Sequence, residues 1–349
     1  MSLAMAQPLT FTLPPGRMAT EPPEARGLAR DQVRLLVADA DGVVHARFAD
    51  LGAFLRAGDV LVVNTSATVA AALPASRRGR SVTVHFSTVM ADGSWLVELR
   101  PGPRATGPLR DAVEGERLEL PGGAHLRLLV PYPDALADAP RIWRAEVSAE
   151  GGVEALMAEH GSPIAYSYVP GRWPLSDYQT VFARDPGSAE MPSAGRPFTA
   201  RLVADLVSSG VLVAPVTLHT GVSSLEEGEL PLPERFRVDA GAAATVNMAR
   251  RRGGRVVAVG TTAVRALESV AEFDGMVHPG SGWTDLVLGP DRPARVVDGI
   301  ISGWHEPGAS HLLLLEAVAG AEVVRRAYAE ALAGPYLWHE FGDSAMLVR

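Results

Sequence analysis

Hydrophobic and polar positions follow two rhythms along this chain. At 33–38 and 60–63, short apolar runs are bounded by polar residues or glycine, the pattern of buried strands. Between about 65 and 150 the texture changes. The stretches 81–89, 94–99, 116–120, 124–130 and 141–147 read as short strands punctuated by Pro and Gly, with few helical patterns among them. That texture predicts a small all-β unit, a barrel. From about 152 helices and strands alternate. Val153–His160 and 198–210 have helical spacing, the second with Thr199 as its cap and Gly210 as its stop. The run 211–219 reads as a strand interrupted by Pro215, which suits an edge or a bulge. A helix ending over 246–252, the Val256–Val259 strand, a helix over 264–273 and a helical region over 309–333 follow. This alternation predicts an α/β layer with a largely parallel sheet. The expected organisation is an α/β body made of 1–64 together with 151–349, with 65–150 as an inserted β-barrel. The Pro-rich stretch 20–30 reads as a surface arm.

The segment 256–268 is the most informative. A β-branched run stops at Gly260, Thr261 and Thr262 follow, and Val264, Leu267 and Ala271 then fall at i, i+3 and i+7 of a helix. A helix start offers unpaired N–H groups and partial positive charge, so it either binds an anion or is simply capped by a threonine.

Composition narrows the chemistry. At 349 residues and 47% hydrophobic, the chain is long enough for two domains and a large core. The apolar run 312–315 is cut by Glu316, and no stretch approaches the length of a membrane span. The start, 1–8, has neither the basic residues nor the apolar stretch of a secretory leader. With no cysteine there is no disulfide, thiolate nucleophile or Cys-ligated metal, and a cytoplasmic protein is expected. All 32 basic residues are arginine, which excludes a Schiff-base lysine and a P-loop. A net charge of −8 argues against a broadly basic nucleic-acid surface. Arg77-Arg78-Gly79-Arg80 and Arg250-Arg251-Arg252 are either local phosphate patches or solvated loop ends.

Four polar clusters sit where apolar strands stop: Asn64-Thr65-Ser66, Thr217-Leu218-His219-Thr220-Gly221, Gly260-Thr261-Thr262, and Ser302-Gly303-Trp304-His305-Glu306-Pro307. Ligands of open α/β sheets bind beyond the carboxyl ends of strands, so a crevice shared by such clusters would be a site. His219 and His305 each serve either as a general base or as a hydrogen-bonded structural histidine. Their spacing is not that of metal ligands, and no metal is expected. Arg265 pairs either with Glu268 at i,i+3 or with a ligand carboxylate. Tyr336, Trp338, His339, Phe341 and Asp343 form either a hydrophobic lid or a wall for a flat purine.

The chain resembles the S-adenosylmethionine:tRNA ribosyltransferase-isomerase family of queuosine biosynthesis. The resemblance rests on Gly58-Asp59-Val60-Leu61-Val62-Val63-Asn64, Asp177-Tyr178-Gln179-Thr180-Val181-Phe182-Ala183, and Pro192-Ser193-Ala194-Gly195 with Phe198-Thr199. It continues through Thr217-Leu218-His219 with Gly221, the stretch 258–268, Val297-Asp298-Gly299-Ile300-Ile301, His305 with Pro307, and Gly342-Asp343 with Ala345-Met346-Leu347. It implies an α/β domain with an inserted barrel and a transfer of the ribosyl part of S-adenosylmethionine to a deazaguanine base in tRNA. A base removes a proton next to the sulfonium, the ribose rearranges to an epoxycyclopentane, and adenine and methionine leave, with no metal involved. Carried onto this chain, it implies proton handling by His219 or His305. Thr261, Thr262 and Arg265 would hold a carboxylate or phosphate, with Asn64, Thr217, Gly260 and Asp343 also contacting substrate.

The departures from the family's pattern are specific. Two of its arginines stand here as Ala67 and Ala72, a histidine is missing at Arg196-Pro197, its Gly-Thr-Phe stands as Ser223-Ser224-Leu225, and its Thr-Asn-Phe-His-Leu-Pro-x-Ser-Thr stands as Ser302-Gly303-Trp304-His305-Glu306-Pro307-Gly308-Ala309-Ser310. They leave open a paralogue acting on a small-molecule acceptor, or a non-catalytic nucleoside- or tRNA-binding protein. The sequence leaves the oligomeric state open.

Overall fold

The computed structural model describes residues 8–102, 107–223 and 231–349. Among them, a nine-stranded sheet runs in the order Gly280–Thr284, Glu234–Val238, Leu212–Leu218, Val60–Asn64, Val256–Val259, Gly299–Gly303, Ser344–Val348, Arg34–Ala38, Val43–Arg47. The centre is parallel: Val62 lies opposite Ala214 on one side and Ala258 on the other, and Ala258 opposite Ile300. The pairings at both ends are antiparallel, as is that of Gly299–Gly303 with Ser344–Val348 inside the sheet, so the sheet is mixed. Central strands are buried along their whole length because helices cover both faces, which is why they read as unbroken apolar runs. One face, with Val62, Ala214, Ala258 and Ile300, packs against Ala240–Arg251, Thr261–Glu268, Ser310–Ala319 and Ala321–Ala333. The other, with Leu61, Val63, Val257 and Ile301, packs against Ala200–Ser208 and the short helix Phe48–Phe54.

A closed six-stranded barrel lies between Val60–Asn64 and the rest of the body in the chain. Its order is Ile142–Ser148, Trp95–Arg100, Arg80–Val89, Ala72–Arg77, Arg117–Glu119, His125–Tyr132. It has its own apolar core, including Leu73, Val84, Phe86, Leu99, Leu126 and Trp143. Ser66–Thr68 leads into it and pairs with Asp185–Ser188 as a separate two-stranded sheet.

Several local expectations change. Leu212–Leu218 is not an edge strand. Pro215 lies opposite Val63, and on its other side the pairing with Glu234–Val238 begins only at Val216, so its missing N–H falls beyond that ladder. The helix expected over 264–273 is Thr261–Glu268, and Ala271 instead bridges to Val277. Glu268 explains the stop: its carboxylate accepts the backbone N–H groups of Arg295, Val296 and Val297 at 2.8–3.1 Å, tying the helix end to the next strand's approach. The 309–333 region is two helices separated at Gly320. Thr199 caps Ala200–Ser208 by accepting from Leu202 N–H at 3.1 Å. The 20–30 arm is packed down: Pro22 and Pro23 are buried, Glu24 pairs with Arg196 at 2.9 Å, and Arg26 donates to the Phe341 carbonyl at 2.6 Å. Arg77 is no phosphate patch, because it is buried in ion pairs with Glu116 and Asp111.

Candidate active site

The carboxyl ends of the central strands open into a cavity of about 420 Å³. Val256–Val259 delivers Gly260, Thr261 and Thr262 to its wall, and Gly299–Gly303 delivers Ser302 through Glu306. The turn at Gly260 needs glycine. Its φ is +89°, and an added Cβ would sit 3.2 Å from that of neighbouring Ala194. The rest of the wall comes from Tyr166 and Tyr168, Glu190, 220–223, Glu234 at a strand start, 286–288, His311 in the first turn of a helix, and His339-Glu340.

Three partly buried carboxylates line this space, each held by donors. Glu190 accepts from the Tyr166 hydroxyl and from the Ser223 hydroxyl and N–H. Glu234 is ion-paired to Arg265 and accepts from Gly221 N–H. Glu340 accepts from the Tyr168 hydroxyl at 2.8 Å. Burial raises the pKa of all three, against the lowering effect of their donors. Tyr166, Tyr168 and His339 form a stacked ladder, with centroid separations of 6.0 Å and 3.9 Å. Arg100, itself paired with Glu98, lies over the outer Tyr166 ring. Carboxylates and aromatic faces together make a wall suited to a cation.

Three histidines share the wall. His305 is fixed: Nε2 bonds the Ser302 hydroxyl at 3.0 Å, its N–H donates to the Tyr328 hydroxyl, and its carbonyl accepts from Trp338 Nε1. His311 stacks on it with rings 3° from parallel and centroids 4.6 Å apart. His339 Nε2 meets Glu306 at 3.1 Å. Burial, helped by neighbouring His311 and His339, holds His305 well below the usual imidazole range. Burial and the Arg265 charge lower His311 to about 4. Both are neutral at pH 7.

Of the residues singled out in the sequence, Gly260, Thr261, Thr262, Arg265 and His305 come together on this wall. Arg265 is already engaged. Besides Glu234, it donates to the carbonyls of Leu286, Thr284 and Leu232, so Glu268 is not its partner. Asn64, Thr217, His219 and Asp343 lie off the wall. Asn64 clasps Leu218 by both N–H and C=O, accepts from Ser66 N–H, and donates to Thr262 Oγ1. Thr217 bonds Thr65 and Asp185. His219 Nδ1 bonds the Ser66 hydroxyl at 2.7 Å, and burial with the Arg235 charge lowers it to about 4. Asp343 accepts from Arg34 and Leu337 N–H groups, burial raising its pKa. In the C-terminal aromatic cluster only His339 reaches the cavity, while Tyr336, Trp338 and Phe341 are core. Sequence reasoning missed Glu190, Glu234, Glu340, Tyr166, Tyr168 and His311. The one available signal was a histidine in the first turn of the apolar 309–333 region.

The departures from the family's pattern fall both on and off the wall: Ser302, Gly303, Trp304 and Glu306 line it. Ala67 and Ala72 do not line it, and Arg196 is buried against Glu24, the Asp177 carbonyl and the Phe341 ring. Ser223 does line it, as a donor to Glu190; Ser224 and Leu225 lie outside the described residues. Among the described residues, no group of three His, Asp or Glu is placed to hold a metal ion, and no helix is long and apolar enough to cross a membrane.

Fold and site together define an α/β protein with an appended barrel and a cavity at strand ends built for a polar, positively charged ligand. The family model for queuosine biosynthesis proteins matches residues 6–348. The S-adenosylmethionine:tRNA ribosyltransferase-isomerase of Moorella thermoacetica is 36% identical over 97% of this chain and 98% of its own. That of Acidiphilium cryptum is 36% identical with the same coverage. A solved structure of an S-adenosylmethionine tRNA ribosyltransferase from Thermotoga maritima matches at TM-score 0.54 and 27% identity, covering 97% of this chain and 99% of that one. The chain belongs to the queuosine biosynthesis family of S-adenosylmethionine:tRNA ribosyltransferase-isomerases.

Proposed function

We propose that this protein transfers and isomerises the ribosyl moiety of S-adenosylmethionine onto a 7-aminomethyl-7-deazaguanine base in tRNA. The products are epoxyqueuosine in the tRNA, adenine and methionine. The observation that carries the reading, beside full-length family membership, is the composition of the cavity wall. Neutral imidazoles and partly buried carboxylates line one cavity, at a helix start. A sulfonium and its developing ylide need a nearby neutral base and negative charge to stabilise the cation. The N–H groups of Thr261 and Thr262, at the start of Thr261–Glu268, suit the methionine carboxylate. Arg265 serves the site through Glu234, which it orients and whose pKa its charge lowers against the raising effect of burial. Proton handling belongs to the wall histidines, His305 among them, and not to His219. The chemistry asks for no metal, and the tRNA substrate places the protein in the cytoplasm.

The test is adenine release from S-adenosylmethionine with and without tRNA carrying the precursor base. Release that requires that tRNA is expected. Release with a small acceptor instead would move the activity to a paralogous substrate, and binding without release would make the protein a nucleoside-binding one. We further read 65–150 as an inserted unit. All six barrel strands fall within it, and they share an apolar core distinct from those of the sheet, to which Val153, Leu156 and Met157 also contribute.

A further inference from the structure

We propose that His311 takes the proton from the carbon beside the sulfonium, and that His305 is the residue that positions it. The inference rests on the function proposed above and names the acting group within that site.

The wall holds seven groups able to accept a proton: Glu190, Glu234, Glu306, Glu340, His305, His311 and His339. Six are committed. Glu190 and Glu340 are bound by tyrosine hydroxyls, Glu234 by Arg265, and Glu306 and His339 by each other. His305 has Nε2 on the Ser302 hydroxyl and both backbone groups bonded. His311 alone makes no hydrogen bond to the described residues; its one ring contact is the parallel stack on His305. Stacking leaves the ring edge, where both nitrogens lie, without a protein partner. His311 is also the second residue of Ser310–Ala319. The partial positive charge of a helix start disfavours imidazolium there, as does nearby Arg265, so the ring waits in its basic form. His305, clamped on three sides, fixes the plane in which His311 stands.

In the step, the C5′–H bond breaks. Its electron pair stays on carbon as the ylide beside sulfur, and the proton goes to a His311 ring nitrogen. The imidazolium then supplies the proton that adenine needs as its bond to the sugar breaks. No co-reactant is required.

The experiment follows tritium from the 5′ position of S-adenosylmethionine into water, using the full-length protein with precursor tRNA. Adenine release, S-adenosylmethionine binding by calorimetry and thermal midpoint are read in parallel. His311→Gln is expected to keep its midpoint and its binding while losing tritium release and adenine release by about 100-fold or more. His311→Ala is expected to regain both with added imidazole, a rescue that a purely structural role would not give. His305→Gln is expected to lower the rate less, without imidazole rescue. Wild-type protein that releases no adenine would overturn the underlying function. An active wild type beside a His311→Gln variant that releases tritium at the wild-type rate would overturn His311 alone. If His311→Gln does not fold, the imidazole test on His311→Ala decides, and failure of rescue there also overturns the proposal.

Discussion

Two neighbouring strand ends carry similar polar clusters and come to opposite uses. At the end of Val60–Asn64, the polar groups of Asn64 and Ser66 turn inward. Asn64 spends its amide on Leu218, Ser66 and Thr262, and Ser66 spends its hydroxyl on Ser188 and His219. Even the close approach of strands is used: a Cβ at Gly187 would fall 2.5 Å from His219 Nδ1. At the end of Val256–Val259, by contrast, Gly260, Thr261 and Thr262 face a cavity. The adjacent cluster around His305 faces it too. The difference teaches that a polar strand end becomes a site only where the fold supplies no internal partner. Buried polar groups must be satisfied, and chain elements far away in sequence decide whether protein or ligand does so.

The comparison breaks most easily at Arg265, on the cavity side. Arg265→Ala leaves Glu234 buried without its counter-charge, with an expected loss of about 3–5 kcal/mol in stability. Chemical denaturation should show a lower midpoint at unchanged slope, and an unchanged midpoint would dissociate the pair from stability. Next comes Asn64→Ala. It strands the N–H groups of Ser66 and Leu218 and is expected to cost about 1–3 kcal/mol, while the folded protein binds S-adenosylmethionine as before. A calorimetric affinity that falls with stability would move Asn64 into the site.

How much of this was legible depended on where the partners lie. Buried central strands showed themselves, because burial on both faces writes unbroken apolar runs such as Val60–Asn64 and Val256–Val259. Polar edge and loop-like strands did not: Asp185–Ser188, Glu234–Val238 and Gly280–Thr284 carry too few apolar residues to signal pairing. The alternation of Glu234–Val238 buries only Phe236 and Val238. At the site, the glycine and threonines were legible because a strand-to-helix turn has local chemistry. Glu190, Glu234 and Glu340 were not, because each acquires meaning from a donor elsewhere in the chain: Tyr166, Arg265 and Tyr168. His305 and His311 belong to different elements, a loop after Gly299–Gly303 and the start of Ser310–Ala319, so only the fold stacks them.

Thr262 joins the two regions, lining the cavity while accepting from Asn64 Nδ2 at 3.1 Å. Thr262→Val keeps the shape and deletes that bond, for an expected loss of about 0.5–1.5 kcal/mol measured by thermal unfolding. A larger loss would show that the Asn64 clasp depends on the site. His219 offers the smallest effect and the sharpest contrast with His305 and His311. At neutral pH, His219→Gln should cost about 1 kcal/mol at most, for the bond to Ser66, and leave adenine release at the wild-type rate. Its signature is in acid. The folded pKa is lowered to about 4 from an ordinary 6.5, so the unfolded chain takes up the proton first. The contribution of His219 is therefore complete above pH 6.5 and is lost as pH falls through about 4. His219→Gln should flatten that part of the stability profile. His305 and His311, lowered in the same direction, keep theirs and supply the acid limb that remains. An unaltered profile in His219→Gln would mean that this histidine is not held neutral by its burial, and that the boundary between inward-turned cluster and site runs elsewhere.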